Sequence, residues 1–164
     1  MQSGNKINAS MVYDLISGIP DPEIPVISIK DLGILRDVKL INDDFIVTIT
    51  PTYTACPAMG LIEGQILEIL ENNSILNVKV NLTYSPAWTT DWINHDARNK
   101  LRSYGIAPPK NNACSKVQPL VDKIQCPHCM SYSTELISQF GSTACKALYK
   151  CNDCKEPFDY FKCH

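Results

Sequence analysis

What this chain lacks narrows its character first. No apolar run approaches the roughly 20 residues of a membrane-spanning helix. The first ten residues, M-Q-S-G-N-K-I-N-A-S, carry no apolar signal core, so a cytoplasmic location is expected. An excess of charge is missing too. Fifteen Lys and Arg against 17 Asp and Glu leave a net charge of −2, which gives no broad pull toward nucleic acid. There is no Glu-x-x-His pair for a di-iron centre, no glycine-rich nucleotide loop and no recognisable catalytic triad. What remains is 164 residues, 45% hydrophobic and 20% charged. That is room for one ordinary domain, or one of about 110 residues plus a small module.

Cysteine, by contrast, is plentiful. There are eight, four of them in C-x-x-C pairs, and metal binding in a reducing compartment accounts for this better than disulfides. Cys126-Pro127-His128-Cys129 and Cys151-Asn152-Asp153-Cys154 stand 21 residues apart. Each pair makes a knuckle that fills two corners of a tetrahedron, and two knuckles close a four-sulfur site. Between them, residues 134–140 and 145–150 read as short strands around Gly141 and Ser142, a zinc-ribbon pattern. A module of about 40 residues is too small to fold on apolar burial alone, so the metal supplies much of its stability. A redox C-x-x-C is the weaker alternative, since neither pair opens a helix after a strand. His128 reads as a solvated spacer, Cys114 as incidental and Cys145 as packing. Cys163, beside Phe158, Tyr160 and Phe161, stays open between packing and a thiol for a second metal or cluster.

The rest of the chain is organised around T-P-T-Y-T-A-C-P-A-M-G at 50–60. It lies between an alternating strand and a helix-period run, with Pro57 suited to a first helical position. Cys56 then becomes the expected N-cap. Its thiol would face the positive helix end, which predicts a depressed pKa and a reactive thiolate. The bland alternative is a small apolar plug under the helix. Upstream, residues 9–16 form a helix with Ser10 as cap and Gly18 as stop, and Met11, Val12, Leu15 and Ile16 on its apolar face. D-P-E-I-P-V at 21–26 is forced into turns by its prolines. Strands at 34–41 and 45–50 meet at Asn42, Asp43 and Asp44 as a hairpin.

Downstream, Leu61, Ile62, Ile66, Ile69 and Leu70 line the buried face of the second helix. Val78, Val80 and Leu82 mark a strand that returns parallel to a hairpin strand. A second strand-to-helix turn at 85–88 leads to a helix capped by Thr89 or Thr90, with Trp92, Ile93, Ala97 and Leu101 inward and Gly105 at its end. If both turns open on one sheet edge, Trp88 and Thr89 lie beside Cys56, together with its sequence neighbours Thr54 and Pro57. The expected fold is therefore α+β: a small three-stranded mixed sheet with helices over 8–107, a linker at 108–122 and a β zinc ribbon at 123–164.

These residues also carry a family resemblance. D-P-E-I-P-V-I-S-I-K-D-L-G-I-L at 21–35 and T-P-T-Y-T-A-C-P-A at 50–58 resemble the iron–sulfur cluster assembly domain that also occurs in SufT-type proteins. That resemblance implies that Cys56 is the reactive, cluster-handling cysteine. S-P-A-W-T-T-D-W-I, G-I-A-P-P, F-G-S-T-A-C-K-A-L-Y-K-C and E-P-F-D-Y-F-K-C extend it to nearly the whole chain. Together they are similar to the PaaD (also PaaJ) family, accessory components of phenylacetyl-CoA epoxidase systems. The resemblance implies an accessory role in aerobic phenylacetate catabolism, beside a di-iron oxygenase and its iron–sulfur flavin reductase. It implies help in assembling or delivering an iron–sulfur cluster, with structural zinc and a transient cluster as cofactors, and does not imply that this chain performs the epoxidation. No nucleic acid or membrane partner is expected, and a homodimer stays open. Two other classes also stay open: a scaffold bridging oxygenase components with Cys56 inert, and an enzyme using Cys56 on a CoA ester, with the otherwise exposed His95 as base.

Overall fold

A computed structural model of the chain describes residues 6–111 and 123–162. Its contacts divide into two units, Met1–Trp88 and Thr89–His164.

In the first unit, α1 (Ala9–Ser17) is capped by Asn8, whose side chain accepts the Met11 N–H at 3.0 Å. Ser10, the expected cap, falls inside the helix. Val12 and Ile16 are buried, while Met11 and Leu15 keep about two-fifths of their surface exposed, so the apolar face is narrower than expected. Strands β1 (Leu35–Ile41) and β2 (Asp44–Ile49) pair antiparallel. Asn42 and Asp43 both have positive φ, 50° and 67°, as a two-residue type I′ turn requires. Phe45, Val47 and Ile49 of the central strand point into the core.

Helix α2 (Met59–Asn72) then crosses over to β3 (Val78–Leu82), which pairs parallel with β2, giving the mixed order β1-β2-β3. The core face of α2 is Met59, Ile62, Ile66 and Leu70. Leu61 is 63% exposed, because it sits about 100° round the helix from Ile62.

The proline-bearing segment between α1 and β1 is a packed loop. It buries Ile24, Ile27 and Ile29, and a buried loop has to satisfy its own backbone. Asp21 does part of this: one carboxylate oxygen accepts the N–H of Glu23 at 2.9 Å and of Ile24 at 2.8 Å. The Asp21 N–H donates to Ile27 O, and Ile29 N–H to Ile19 O, both at 2.9 Å. Trp88 closes the unit, its indole N–H donating to Leu32 O at 2.8 Å.

In the second unit the expected single helix is two pieces. Thr89 caps a 3-10 turn, Thr90–Trp92, by accepting the Asp91 N–H at 3.3 Å. Ile93 is extended, and Asn94 then caps α3 (His95–Ser103) by accepting the Ala97 N–H at 2.7 Å. The asparagine restarts the helix. Gly105 follows at φ 88°, and a Cβ placed there would lie 3.2 Å from the His128 ring.

Strand β4 (Ile106–Ala107) lies parallel to β7 (Pro157–Phe161), β6 (Lys146–Cys151) pairs with β7, and β5 (Thr134–Ser138) takes the far edge. The sheet order is β4-β7-β6-β5. The expected first domain ran to residue 107. The chain divides instead after Trp88, since β4 hydrogen-bonds to β7 and takes α3 with it. No helix among the described residues is long and apolar enough to cross a membrane. Cys114, Cys163 and His164 lie outside the described residues, so their expected roles stand as expectations.

Replacing Trp88 with Phe keeps most of the apolar bulk but leaves the Leu32 carbonyl without its indole donor. Denaturant titration should show a loss of about 1–3 kcal/mol. An unchanged midpoint would mean that water replaces the indole there.

Candidate functional site

A quartet of thiols in the second unit and a single thiol in the first stand out. In the second unit, the two knuckles bring Cys126, Cys129, Cys151 and Cys154 together, all four sulfurs within 4.8 Å of one another. The Cys129 and Cys151 sulfurs are 3.5 Å apart, those of Cys126 and Cys154 3.7 Å. A tetrahedral ion at a metal–sulfur distance of about 2.3 Å sets its sulfurs about 3.8 Å apart. Both of these distances are close to that spacing, so the quartet suits a small dication.

The two knuckles are built alike. Met130 and Lys155, each one residue beyond the second cysteine, have φ of 65° and 68°. These left-handed turns wrap the chain so that backbone N–H groups face the sulfurs. The N–H groups of His128 and Cys129 reach Cys126, and those of Asp153 and Cys154 reach Cys151. Burial raises the Cys151 thiol, but these N–H groups outweigh it and bring it down to about 7. The Glu156 N–H favours the Cys154 thiolate, yet burial and the neighbouring sulfurs push that thiol up to about 12. Four thiols this close cannot all ionise unless a cation sits among them.

Beneath the quartet, Tyr149 stacks on Phe158 with centroids 5.9 Å apart and meets Tyr160 edge-on at 5.8 Å. Cys126 and Cys151 are buried in this same core, whereas Cys129 is exposed. His128 is exposed and adds no ligand atom to the quartet; its ring lies against Gly105. Cys145 is buried, with its sulfur 3.0 Å from the Thr143 hydroxyl.

In the first unit Cys56 is half-buried and free. It is not the helix cap: α2 starts at Met59, its N-cap is Ala58, and Cys56 and Pro57 belong to the preceding turns. The expected depression of its pKa is reversed. Burial raises the thiol, and the carboxylates of Glu23 and Asp21 raise it further, against hydrogen bonds from the Ala58 N–H and the Thr52 hydroxyl. The helix start does contribute one N–H, but desolvation and two acids outweigh it.

The neighbours that sequence reasoning missed are thus Asp21, Glu23 and Thr52. Their signal was present in the D-P-E and T-P-T segments. Thr54 and Pro57 are exposed beside the cysteine, and Trp88 is buried on Leu32. Thr89 falls in the second unit, where it caps the 3-10 turn. Among the described residues, only the knuckle quartet gathers three or more Cys, His, Asp or Glu donors closely enough to hold an ion.

Comparison with known proteins matches both halves. Residues 110–162 match the family described as the PaaD zinc beta ribbon domain, and residues 9–73 the iron–sulfur cluster assembly protein family. A protein of Escherichia coli (strain K12), named as a component of a 1,2-phenylacetyl-CoA epoxidase, is 51% identical over 152 residues, 93% of this chain and 91% of that one. An Fe–S protein maturation auxiliary factor of Porphyromonas gingivalis is 36% identical over 93 residues, 55% of this chain and 87% of that one. Among solved structures, a domain of unknown function from Bacillus anthracis superposes with a TM-score of 0.52 at 26% identity. It covers 57% of this chain and 90% of that domain.

Two outcomes follow from this geometry. Elemental analysis of the purified chain should return one metal ion per chain. Cys126→Ser or Cys151→Ser should remove the ion and melt the second unit, while circular dichroism of the first unit's α2 and sheet persists. A metal-free protein with an ordered ribbon would contradict this. At Cys56, the raised pKa means that alkylation by iodoacetamide at pH 7 is slower than for an ordinary thiol and climbs as pH rises past 9, the usual cysteine value. Glu23→Gln should lower the pKa and speed labelling roughly threefold near neutrality. A fast, pH-flat reaction would refute the desolvation account.

Proposed function

The chain belongs to the PaaD family of 1,2-phenylacetyl-CoA epoxidase components, and on that premise we propose that it assists iron–sulfur cluster assembly for an epoxidase system without itself catalysing the oxidation. The observation that carries this reading is the division of the thiols. Four stand in a closed quartet, and one, Cys56, stands open in the stretch matched by the iron–sulfur assembly family. An iron–sulfur cluster is held by four protein ligands, commonly thiolates. Cys56 supplies one, so a cluster rests there only by sharing its other positions with thiols from elsewhere, such as those of the recipient. That arrangement suits hand-over and not storage. The iron–sulfur flavin reductase of the system is the recipient we favour, since it is the component that keeps a cluster.

The ribbon quartet takes zinc in this reading, held by Cys126, Cys129, Cys151 and Cys154 as a structural ion. When bound, zinc offers the ribbon a cross-link in place of the apolar core that it is too small to build. An enzyme acting on CoA esters through Cys56 is less favoured: the charged groups that bear on the thiol, Glu23 and Asp21, are acids that suppress its ionisation. A scaffold role has one specific observation behind it. Met130, Tyr132, Ile137 and Phe140 of the second unit are each 46–62% exposed, apolar side chains available to a protein partner.

Cys56→Ser separates these readings. The residue lies ahead of α2, and a serine hydroxyl can accept the Ala58 N–H as the thiol does, so the variant should fold as the parent does. In cells it should leave the reductase with an under-filled cluster, read by iron and sulfide content, while fully assembled oxygenase keeps its intrinsic rate. Normal reductase cluster content in that strain would end the cluster-handling proposal and leave the scaffold.

A further inference from the structure

Within the second unit, α3 presents His95, Arg98, Asn99 and Arg102 at intervals of three, four and seven residues, so they share one helix face. This face walls a cavity of about 350 Å³, closed on other sides by Pro108, Pro109, Lys110 and Asn111 and by Ile124, Gln125 and Tyr132. Among the described residues three cations line it and no carboxylate does, in a chain whose net charge is −2.

The cations are not equivalent. Arg98 is fixed: its Nε donates to Ile93 O at 3.3 Å, one terminal nitrogen to Thr90 O at 2.8 Å, and the other to Pro109 O. Partial burial weakens its hold on the proton and Asp91 restores some of it, but a guanidinium stays charged in either case. It therefore places a positive charge against neutral carbonyls. Arg102 and Lys110 line the same cavity. Ala107 and Ile124, both buried, give an apolar floor, and Tyr132 offers a ring.

We propose that this cavity binds the phosphate-bearing nucleotide end of a coenzyme A thioester. A concave site of this volume takes a nucleotide-sized group better than an extended peptide. Arginine and lysine are the side chains that hold phosphate oxygens, and an aromatic ring beside them gives the base a face to stack on. The choice of coenzyme A among nucleotides rests on the proposed place of the chain in an epoxidase system whose substrate is a coenzyme A thioester. The protein would then sense or retain that substrate while it serves the complex.

Isothermal titration of the metal-loaded full chain tests this, with coenzyme A, its 3′-phosphoadenosine 5′-phosphate portion, inorganic phosphate and a hexaglutamate peptide as ligands. Coenzyme A and its nucleotide portion should bind comparably, with inorganic phosphate at least about 100-fold weaker, the value of two lost charge-assisted hydrogen bonds. Arg102→Gln and Lys110→Gln should each weaken coenzyme A about tenfold with metal content and circular dichroism unchanged. Lys110 is exposed, so its variant keeps the test valid if Arg102→Gln folds poorly. No heat with millimolar coenzyme A, equal binding of inorganic phosphate, tighter binding of hexaglutamate, or unaltered affinity in the variants would each overturn the proposal. The result is separable from cluster delivery. Failure here with an under-filled reductase in the Cys56→Ser strain removes this site alone, and intact coenzyme A binding with normal cluster content removes the delivery reading alone.

Discussion

Four sulfur atoms held within 4.8 Å of one another set the terms for the second half of this protein. Thiols so close ionise together only around a cation. The two left-handed turns at Met130 and Lys155 and the N–H groups aimed at Cys126 and Cys151 make sense only as the wrapping of a charged centre. The rest of the ribbon is arranged over it. Tyr149, Phe158 and Tyr160 pack onto the inner cysteines, and β7 carries β4 as a fourth strand. With few apolar residues to spare, the fold uses one ionic cross-link in place of a larger core.

The first unit solves the opposite problem. It has an ample core and, among its described residues, no close group of donors, and its cysteine lies on a turn between the central strand and α2. The segment that runs past that turn is a loop whose buried backbone Asp21 satisfies with its own carboxylate. The same carboxylate, with that of Glu23, bears on the Cys56 thiol. One acidic loop thus does two things: it packs the unit, and it adds to the burial that keeps the Cys56 thiol protonated.

Much of this was legible in the sequence. The hairpin at Asn42 and Asp43, the parallel return of β3 and the two knuckles follow from turn chemistry, alternation and cysteine spacing, all local signals. What was not legible depended on distance or on competing local signals. Two residues at 106–107 carry no periodicity, so their pairing with β7, some fifty residues later, left no trace, and the unit boundary moved with them. Asn94 reads in sequence as a helix interior position although its side chain restarts the helix, because the apolar spacing of Trp92, Ile93 and Ala97 runs straight through it. The start of α2 slips by two residues for a similar reason. Pro57 is a good first helical residue, but the chain uses it in the turn before the helix.

The sign of the Cys56 shift is the most instructive of these differences. A local argument weighs only the helix start and gives a thiolate; the folded chain adds burial and two carboxylates brought in from residues 21–23, and gives a thiol. The reversal suits the proposed function better than the expectation did. A low-pKa thiolate holds iron tightly and reacts with whatever electrophile arrives. A thiol whose neutral form is favoured binds a cluster by releasing its proton and lets go by taking one back. In the proposed delivery, burial and the acids beside Cys56 weaken the bond that breaks, while the closed quartet is the place for an ion that stays.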